Sequence, residues 1–266
     1  MTRLIIVLSL IFWPLSLFLA NTVGDFVKYF FPVLLLILSW QLFKKNNSLF
    51  LWPTLLIPFF EPKLAVLPLL LGVMNLKRHW LFIGATAIVL AFNFKAFWGQ
   101  TIFKADYEAQ QEIIGKSYLY PNVPLARLFQ NKGRIYVNKF TANFLALSDP
   151  NNYFFGFHPR EIKVDNQNLR KFPFLGIMFM LLGFYYLAQL PQKKFVMVLL
   201  TASFISLTVL NIFDRHDVIL WLPLSILYIH GVKEFSTKKW WWHRLNRGFY
   251  VVFIIFTVWE LIRLFL

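Results

Sequence analysis

The chain has 266 residues, of which 58% are hydrophobic and 20% aromatic, whereas soluble domains contain roughly 45–50% apolar residues. It contains no cysteine, which excludes disulfides, thiolate metal sites and cysteine nucleophiles. The net charge of +15 is carried mostly by short loops between apolar runs, whereas a nucleic-acid-binding protein gathers its basic residues on a soluble face. We therefore expect a protein of the lipid bilayer, with no nucleic acid as partner.

Apolar runs follow one another along the chain, most of them near the roughly 17–25 residues that cross a hydrocarbon core. They cover residues 4–20, 26–43, 49–74, 80–98, 172–190, 195–213, 218–232 and 248–266. The first run resembles a secretory signal but ends in Phe18-Leu19-Ala20-Asn21, which is a poor cleavage pattern, so we interpret it as a retained span. The predicted fold class is an all-α polytopic membrane protein with about seven to eight membrane segments.

The run 49–74 differs from the others because Glu61-Pro62-Lys63 interrupts it. As a single span, it would place Glu61 at mid-membrane and the basic pair Lys77-Arg78 on the unfavourable side. Two arms that turn at Glu61 remove both problems, but each arm has only about a dozen residues. The sequence therefore predicts a short bent hairpin, either re-entrant or made of two spans.

Paired basic residues give the orientation. With the N-terminus inside, the loops 44–45, 77–78, 193–194 and 233–247 all fall on the cytoplasmic side, as the positive-inside rule requires. The long polar stretch 99–171 then lies outside. We predict a bacterial cytoplasmic-membrane protein of the cell envelope, with an N-terminal membrane block (1–98), an extracytoplasmic mixed or helical insert (99–171) and a C-terminal membrane block (172–266).

One segment of the insert has a clear helical period. Val137, Phe140, Phe144 and Leu147 recur at spacings of 3, 4 and 3 residues, which is typical of an amphipathic helix over 134–147. Such a helix packs in the core of the insert or lies on the outer membrane surface.

Polar residues suitable for binding or catalysis occur in three places. The aromatic run 153–155 leads to His158 and Arg160, which can bind an anionic head group; the alternative is a buried or interfacial strand with a solvated exit. Asp214, Arg215 and His216 stand between two spans, where an ordinary solvated turn would look the same. Glu61 is either an acid near a membrane cavity or a hairpin cap paired with Lys63. No motif for metal binding, nucleophilic catalysis or phosphate binding is present.

Two of these features resemble the later portion of GT-C type membrane glycosyltransferases, the group that includes protein O-mannosyltransferases and aminoarabinose transferases. The features are the helix 134–147 followed by Tyr153-Phe154-Phe155-Gly156, and Asp214-Arg215-His216 leading into Leu222-Pro223-Leu224. The resemblance covers roughly residues 85–232. It implies transfer of a sugar from a polyprenyl-phosphate donor outside the cytoplasm, and a carboxylate that acts as base or binds a divalent metal. The family generally has an acidic pair in the first outer loop, where this chain has only Asp25, which predicts a reduced or divergent relative.

Two hypotheses of function follow. In the first, the chain is an enzyme in which Asp25 or Glu61 acts as general base. The substrate-binding residues are then His158, Arg160, Asp214, Arg215 and His216. In the second, the chain is a non-catalytic assembly factor or partner subunit whose insert binds another membrane protein. A transporter ranks third because the spans contain few ionisable residues away from their ends.

Overall fold

The computed structural model describes residues 1–75, 79–104, 107–119, 121–124, 129–156, 170–237 and 243–265. Within these ranges the chain forms α-helices and 3₁₀ helices and no strand, apart from one isolated antiparallel bridge between Thr101 and Leu210. The prediction of an all-α fold is confirmed.

The helices follow the apolar runs closely. The α-helices are α1 (Thr2–Leu19), α2 (Val23–Lys44), α3 (Ile57–Phe60), α4 (Val66–Met74), α5 (Trp80–Trp98), α6 (Tyr107–Ser117), α7 (Lys132–Ser148), α8 (Pro150–Phe154), α9 (Ile177–Tyr185), α10 (Lys193–Thr208), α11 (Trp221–Thr237) and α12 (His243–Ile262). The 3₁₀ helices are Trp52–Leu56, Pro62–Leu64, Phe174–Gly176, Leu187–Gln189 and Asp214–Leu220.

In the described part of the chain, four helical segments are long and apolar enough to cross a membrane, which agrees with the prediction of a multi-pass membrane protein. They are Thr2–Leu19, Val23–Lys44, Trp80–Trp98 and Asp214–Thr237, and shorter apolar helices cover Pro62–Met74, Phe174–Tyr185 and Gly248–Ile262. In α5 only 17% of the apolar window is buried inside the protein. Its exposed apolar surface is what a lipid-facing helix presents, because lipid tails solvate apolar side chains. The total of seven to eight segments stays a prediction.

The ends of the helices form two groups at opposite ends of the bundle. At one, which we call the basic end, Phe43 stacks on Phe195 with centroids 4.6 Å apart and Phe50 lies 5.2 Å from His79. At the other, which we call the insert end, Arg215 donates a hydrogen bond to the carbonyl of Ala20. The insert begins beside the α10–α11 connection, where the Asn211 N–H donates to the carbonyl oxygen of Gln100. It ends beside α1, where Ser16 Oγ donates to the carbonyl oxygen of Arg170.

The hairpin between α2 and α5 bends where the sequence predicts. Glu61 has extended backbone angles (φ −139°, ψ 90°) that separate α3 from the following 3₁₀ helix. The arms, 52–60 and Pro62–Met74, are too short to cross a hydrocarbon core of about 30 Å. Glu61 contacts Lys28, which lies five residues after Val23 in α2. Glu61, at the tip of the hairpin, is therefore buried beside the second turn of α2.

Helices α9 and α11 cross in close contact at two glycines. A Cβ atom on Gly231 would lie 1.8 Å from the carbonyl oxygen of Phe179, and one on Gly183 would lie 2.1 Å from that of Leu227. Small residues let membrane helices approach until their backbones touch. This contact fixes α11, which continues the Asp214–Leu220 helix.

The described second half of the insert packs on the bundle. Asn143 of α7 donates a hydrogen bond to the carbonyl oxygen of Leu210, and Tyr153 of α8 makes an edge contact with Trp13 of α1. Tyr153 and Phe154 are buried, but the aromatic run is helical, so the predicted strand was wrong. Asp149 caps α8 through the backbone N–H of Asn151, and Pro150 occupies its first turn, a combination that starts helices.

Candidate functional site

A buried acid–histidine pair lies at the tip of the hairpin. Glu61 Oε2 is 3.1 Å from His216 Nε2, and both side chains are almost fully buried, at 2% and 1% exposed. Lys28 Nζ lies 3.4 Å from the same carboxylate oxygen, and its side chain is 47% exposed. Three separate elements thus place a carboxylate, an imidazole and an ammonium group around one oxygen atom.

The contact between Glu61 and His216 is close, but it is not a hydrogen bond of good geometry. His216 Nδ1 lies 2.9 Å from the carbonyl oxygen of Phe213, and a carbonyl oxygen only accepts, so Nδ1 is the donor. The other ring nitrogen, Nε2, faces the Glu61 carboxylate at 3.1 Å. Within the described part of the chain, neither Glu61 Oε2 nor His216 Nε2 has a hydrogen bond of good geometry. Two buried polar atoms thus face each other without a satisfied hydrogen bond, which is uncommon inside proteins and calls for an explanation such as a catalytic role.

Tyr29 links this pair to Asp214. Its ring makes an edge contact with the His216 ring at 4.9 Å, and its hydroxyl donates a 3.0 Å hydrogen bond to Asp214 Oδ2. Asp214 has φ +47°, a left-handed conformation that Asp adopts more readily than most residues. This conformation starts the 3₁₀ helix that turns His216 inward. The alternative of a solvated turn was wrong, because Arg215, His216 and Asp217 are all buried.

Two predicted site residues have other contacts. The Arg215 guanidinium donates to the carbonyl oxygen of Ala20 and to Asn21 Oδ1 at the end of α1. Asp25 is exposed on the first turn of α2, where Thr22 Oγ1 donates to its carboxylate and accepts from its N–H. Both residues therefore lie at the insert end, and each stabilises a helix terminus.

The predicted pairing of Glu61 with Lys63 is made by the backbone of Lys63, not by its ammonium group. Glu61 Oε1 accepts a hydrogen bond from the backbone N–H of Lys63, whereas the ionic contacts of the carboxylate are with Lys28 and His216. Glu61 is thus both the cap of the 3₁₀ helix and the centre of the charged cluster.

A second ion pair is sealed inside the bundle beside the first. Lys171 Nζ contacts the Asp217 carboxylate and Asn152 Oδ1, and the two charged side chains are 2% and 1% exposed. The ammonium also lies 5.0 Å from the Trp13 ring and 5.1 Å from the Tyr153 ring, close enough for cation–π attraction. This pair joins the end of the insert to the residue after His216.

An apolar groove of about 330 Å³ runs along the bundle between α7, α8, α9, α10 and the start of α11. Tyr153 and Leu220 line it; Tyr153 also touches the sealed pair, and Leu220 ends the helix that carries His216. The remaining lining includes Leu147, Phe154, Met180, Leu181, Phe204 and Leu224.

The structure thus gathers Glu61, Asp214 and His216, with Lys28 and Tyr29 added. His158 and Arg160 lie outside the described residues. Lys28 was not among the predicted site residues, because a single lysine near the end of a span commonly extends to the head groups as an anchor. A lone charge inside a span is also a signal of a functional site. Among the described residues, no three His, Cys, Asp or Glu side chains cluster as metal ligands do.

The fold and the site together define a multi-pass, all-α membrane protein with a buried acid–histidine pair. No protein-family model matches the chain, and no curated protein or solved structure matches it either.

Proposed function

We propose that the chain is a membrane enzyme that transfers a glycosyl group from a lipid-phosphate-linked sugar, with the Glu61–His216 pair as its acid–base centre. The reaction takes place on the non-cytoplasmic side of the membrane, where the insert lies in the predicted orientation. The observation that carries the proposal is the buried 3.1 Å contact between Glu61 Oε2 and His216 Nε2. An ionisable residue inside a membrane bundle is costly to keep and commonly has a function.

The chemical step requires a base and a stabilised leaving group. The acceptor hydroxyl oxygen bonds to the anomeric carbon of the sugar, while the bond from that carbon to the phosphate oxygen breaks and its electron pair leaves with the phosphate. The hydroxyl proton passes to the Glu61 carboxylate, which becomes neutral as it accepts it. The His216 ring, 3.1 Å from that carboxylate, holds the base in position.

Lys28 couples the binding of the donor to the freeing of the base. Its ammonium covers Glu61 Oε2 at 3.4 Å, and its half-exposed side chain has room to move. A phosphate attracts the ammonium away from the carboxylate, which uncovers Glu61 and neutralises the charge of the leaving group. The apolar groove beside Tyr153 has the lining and size for a stretch of the donor's hydrocarbon chain.

The direct test replaces Glu61 by Gln. A Gln side chain has the same shape, and its amide donates to His216 Nε2, so the fold is retained while the proton acceptor is lost. We expect transfer from polyprenyl-phosphate-linked hexoses to fall about 10²–10⁴-fold, the usual contribution of a general base. The measurement is sugar transfer by the purified chain in lipid vesicles, normalised to folded protein.

The matched control is Glu112→Gln. Glu112 is an exposed carboxylate of α6 that pairs with Lys116, and its loss leaves transfer unchanged. Transfer by Glu61→Gln within about threefold of the wild-type rate would contradict the assignment of the base, since a lost general base costs about 10²-fold or more. If the wild-type chain transfers none of the sugars, the donor class is wrong.

A second candidate is a non-catalytic partner subunit that binds another membrane protein through its insert. Tyr118 and Leu119, after α6, are 84% and 80% exposed, which suits a protein interface. Phe154 of the same insert is buried, so it does not belong to this interface. In this alternative, replacing both Tyr118 and Leu119 by Ser abolishes co-purification of the partner, whereas Glu61→Gln leaves it intact.

A further inference from the structure

Helix α7 has three different faces. One face packs on the bundle through Ile135, Asn143, Ala146 and Leu147. A second face lies roughly 115° around the helix axis from the first, since each residue of an α-helix turns by about 100°. It carries Val137, Phe140 and Phe144, and all three are exposed. The third face carries Arg134, Asn138 and Thr141. A helix in the interior of a soluble insert needs one apolar face, whereas this helix has a protein-facing, an apolar exposed and a polar exposed face.

The helix also contacts the ends of two membrane helices. Near its start, Tyr136 makes an edge contact with Phe103, just after α5, at 5.6 Å. Further on, Lys139 donates to Asn211 and Asn143 donates to Leu210, both just after α10. The contacts of α7 therefore begin at the end of α5 and continue at the end of α10, where Phe144 reaches Phe204 one turn inside that helix.

The apolar exposed face joins the exposed aromatic surface of the membrane helices. Phe144 contacts Phe204, which lies one turn before the end of α10, at 5.3 Å. On the other side, the rings of Phe94, Trp98 and Phe103 stack in sequence at 5.5 and 5.7 Å along the end of α5. An aromatic belt of this kind is typical of the boundary between the hydrocarbon and the head groups. The apolar face of α7 is continuous with it.

We propose that α7 lies in the membrane leaflet at the insert end, with Val137, Phe140 and Phe144 among the acyl chains of phospholipids. The 17 residues of the helix contain three basic residues, Lys132, Arg134 and Lys139, and no acidic residue. Anionic head groups complement this charge. The partner of this surface is the phospholipid leaflet itself, and α7 holds the insert against it.

Site-directed spin labelling tests the proposal without background, because the chain has no cysteine. Single cysteines at Phe140 and Phe144 report on the apolar face, and cysteines at Asn138 and Thr141 report on the polar face. The labelled chain is placed in vesicles of phosphatidylethanolamine and phosphatidylglycerol. Collisions with oxygen, which concentrates in lipid, are compared with collisions with a water-soluble nickel chelate. We expect oxygen to dominate at the apolar face and nickel at the polar face.

Leu145 is the matched control. It is apolar and 60% exposed, more than Phe140 at 40%, but it lies on the polar side of the helix. The proposal predicts that a label at Leu145 meets nickel and a label at Phe140 meets oxygen, although exposure alone predicts the opposite. Nickel access at both positions would overturn the proposal, because α7 would then stand in water. Protection from both reagents at Phe140 would also overturn it, since a protein, such as a second copy of the chain, would then cover this face.

Discussion

Two charged clusters lie on consecutive residues of one 3₁₀ helix, and they differ in their access to the surroundings. Asp217 pairs with Lys171, both groups are buried, and Asn152 and two aromatic rings surround the ammonium. His216 pairs with Glu61, but the nearby Lys28 is 47% exposed. The charged groups of the first cluster are both buried, whereas the second cluster reaches the surface of the protein through the half-exposed Lys28 side chain.

The difference separates a structural role from a chemical one. A sealed ion pair holds its neighbours in one arrangement, and removing one partner leaves an uncompensated charge in a low-dielectric interior. A pair with one half-exposed cation can exchange that cation for a ligand. We therefore propose that the Lys171–Asp217 pair holds the His216 turn in place and that the Glu61–His216–Lys28 cluster carries the chemistry of the proposed function.

The largest effect on stability is expected from breaking the sealed pair. Asp217→Asn keeps the size of the side chain but leaves the Lys171 ammonium buried without its counter-ion. We expect a loss of about 3–5 kcal/mol in the free energy of unfolding, visible as a lower midpoint of thermal unfolding followed by tryptophan fluorescence. The double variant Lys171→Met with Asp217→Asn recovers part of the loss, because no unpaired charge remains. An unchanged midpoint in Asp217→Asn would show that the pair is not sealed.

A smaller loss is expected where helices touch without any charge. In Gly231→Ala, the new Cβ meets the Phe179 carbonyl oxygen at 1.8 Å, so α9 and α11 must separate. We expect a loss of about 1–3 kcal/mol, the usual cost of overpacking. The control Gly84→Ala, in α5, has open space around its Cβ and leaves the unfolding midpoint unchanged or slightly higher. Equal midpoints for the two variants would refute the close crossing of the helices.

The smallest effect on stability is expected from Lys28→Met. Its charge is half-exposed, so its ion pair contributes less than about 1 kcal/mol, and His216 remains as partner of Glu61. Transfer of sugar nevertheless falls, because the cation that neutralises the leaving phosphate is lost. Lys28→Met is therefore expected to lower transfer with little loss of stability, whereas Asp217→Asn mainly lowers stability. The midpoint of thermal unfolding and the rate of sugar transfer are measured on the same preparation. A midpoint lowered as much as in Asp217→Asn would remove the distinction between the clusters.

Much of the architecture is predictable from the sequence because it depends on local periodicity. The long apolar runs predict α1, α2 and α5, and the spacing of Val137, Phe140, Phe144 and Leu147 predicts α7 within two residues at either end. The bend at Glu61 follows from the cost of a charge at mid-membrane. The helix at Pro150–Phe154 was predictable too, since Asp149-Pro150 is a local start signal, but the aromatic run favoured a strand.

The charged clusters were harder to predict because their partners are distant in the chain. Lys171 stands at the start of an apolar run, where a basic residue ordinarily faces the head groups, and only the packing of Tyr153 and Trp13 buries it with Asp217. Lys28 looks like the same kind of anchor. Which of two such lysines is sealed and which is accessible depends on tertiary packing, and no local pattern distinguishes them.

The measurement that tests the account most directly is the reactivity of these two lysines with a membrane-impermeant amine reagent, with and without a polyprenyl phosphate. The chain in vesicles is labelled briefly and the modified peptides are quantified by mass spectrometry. Lys116 of α6, whose side chain is 45% exposed, is the reference for the side of the membrane and for the dose of reagent. The account predicts that Lys28 is labelled, that Lys171 is not, and that the polyprenyl phosphate protects Lys28 while Lys116 is unaffected. Equal labelling of Lys28 in the presence and absence of the lipid phosphate, or no labelling of Lys28 at all, would contradict it.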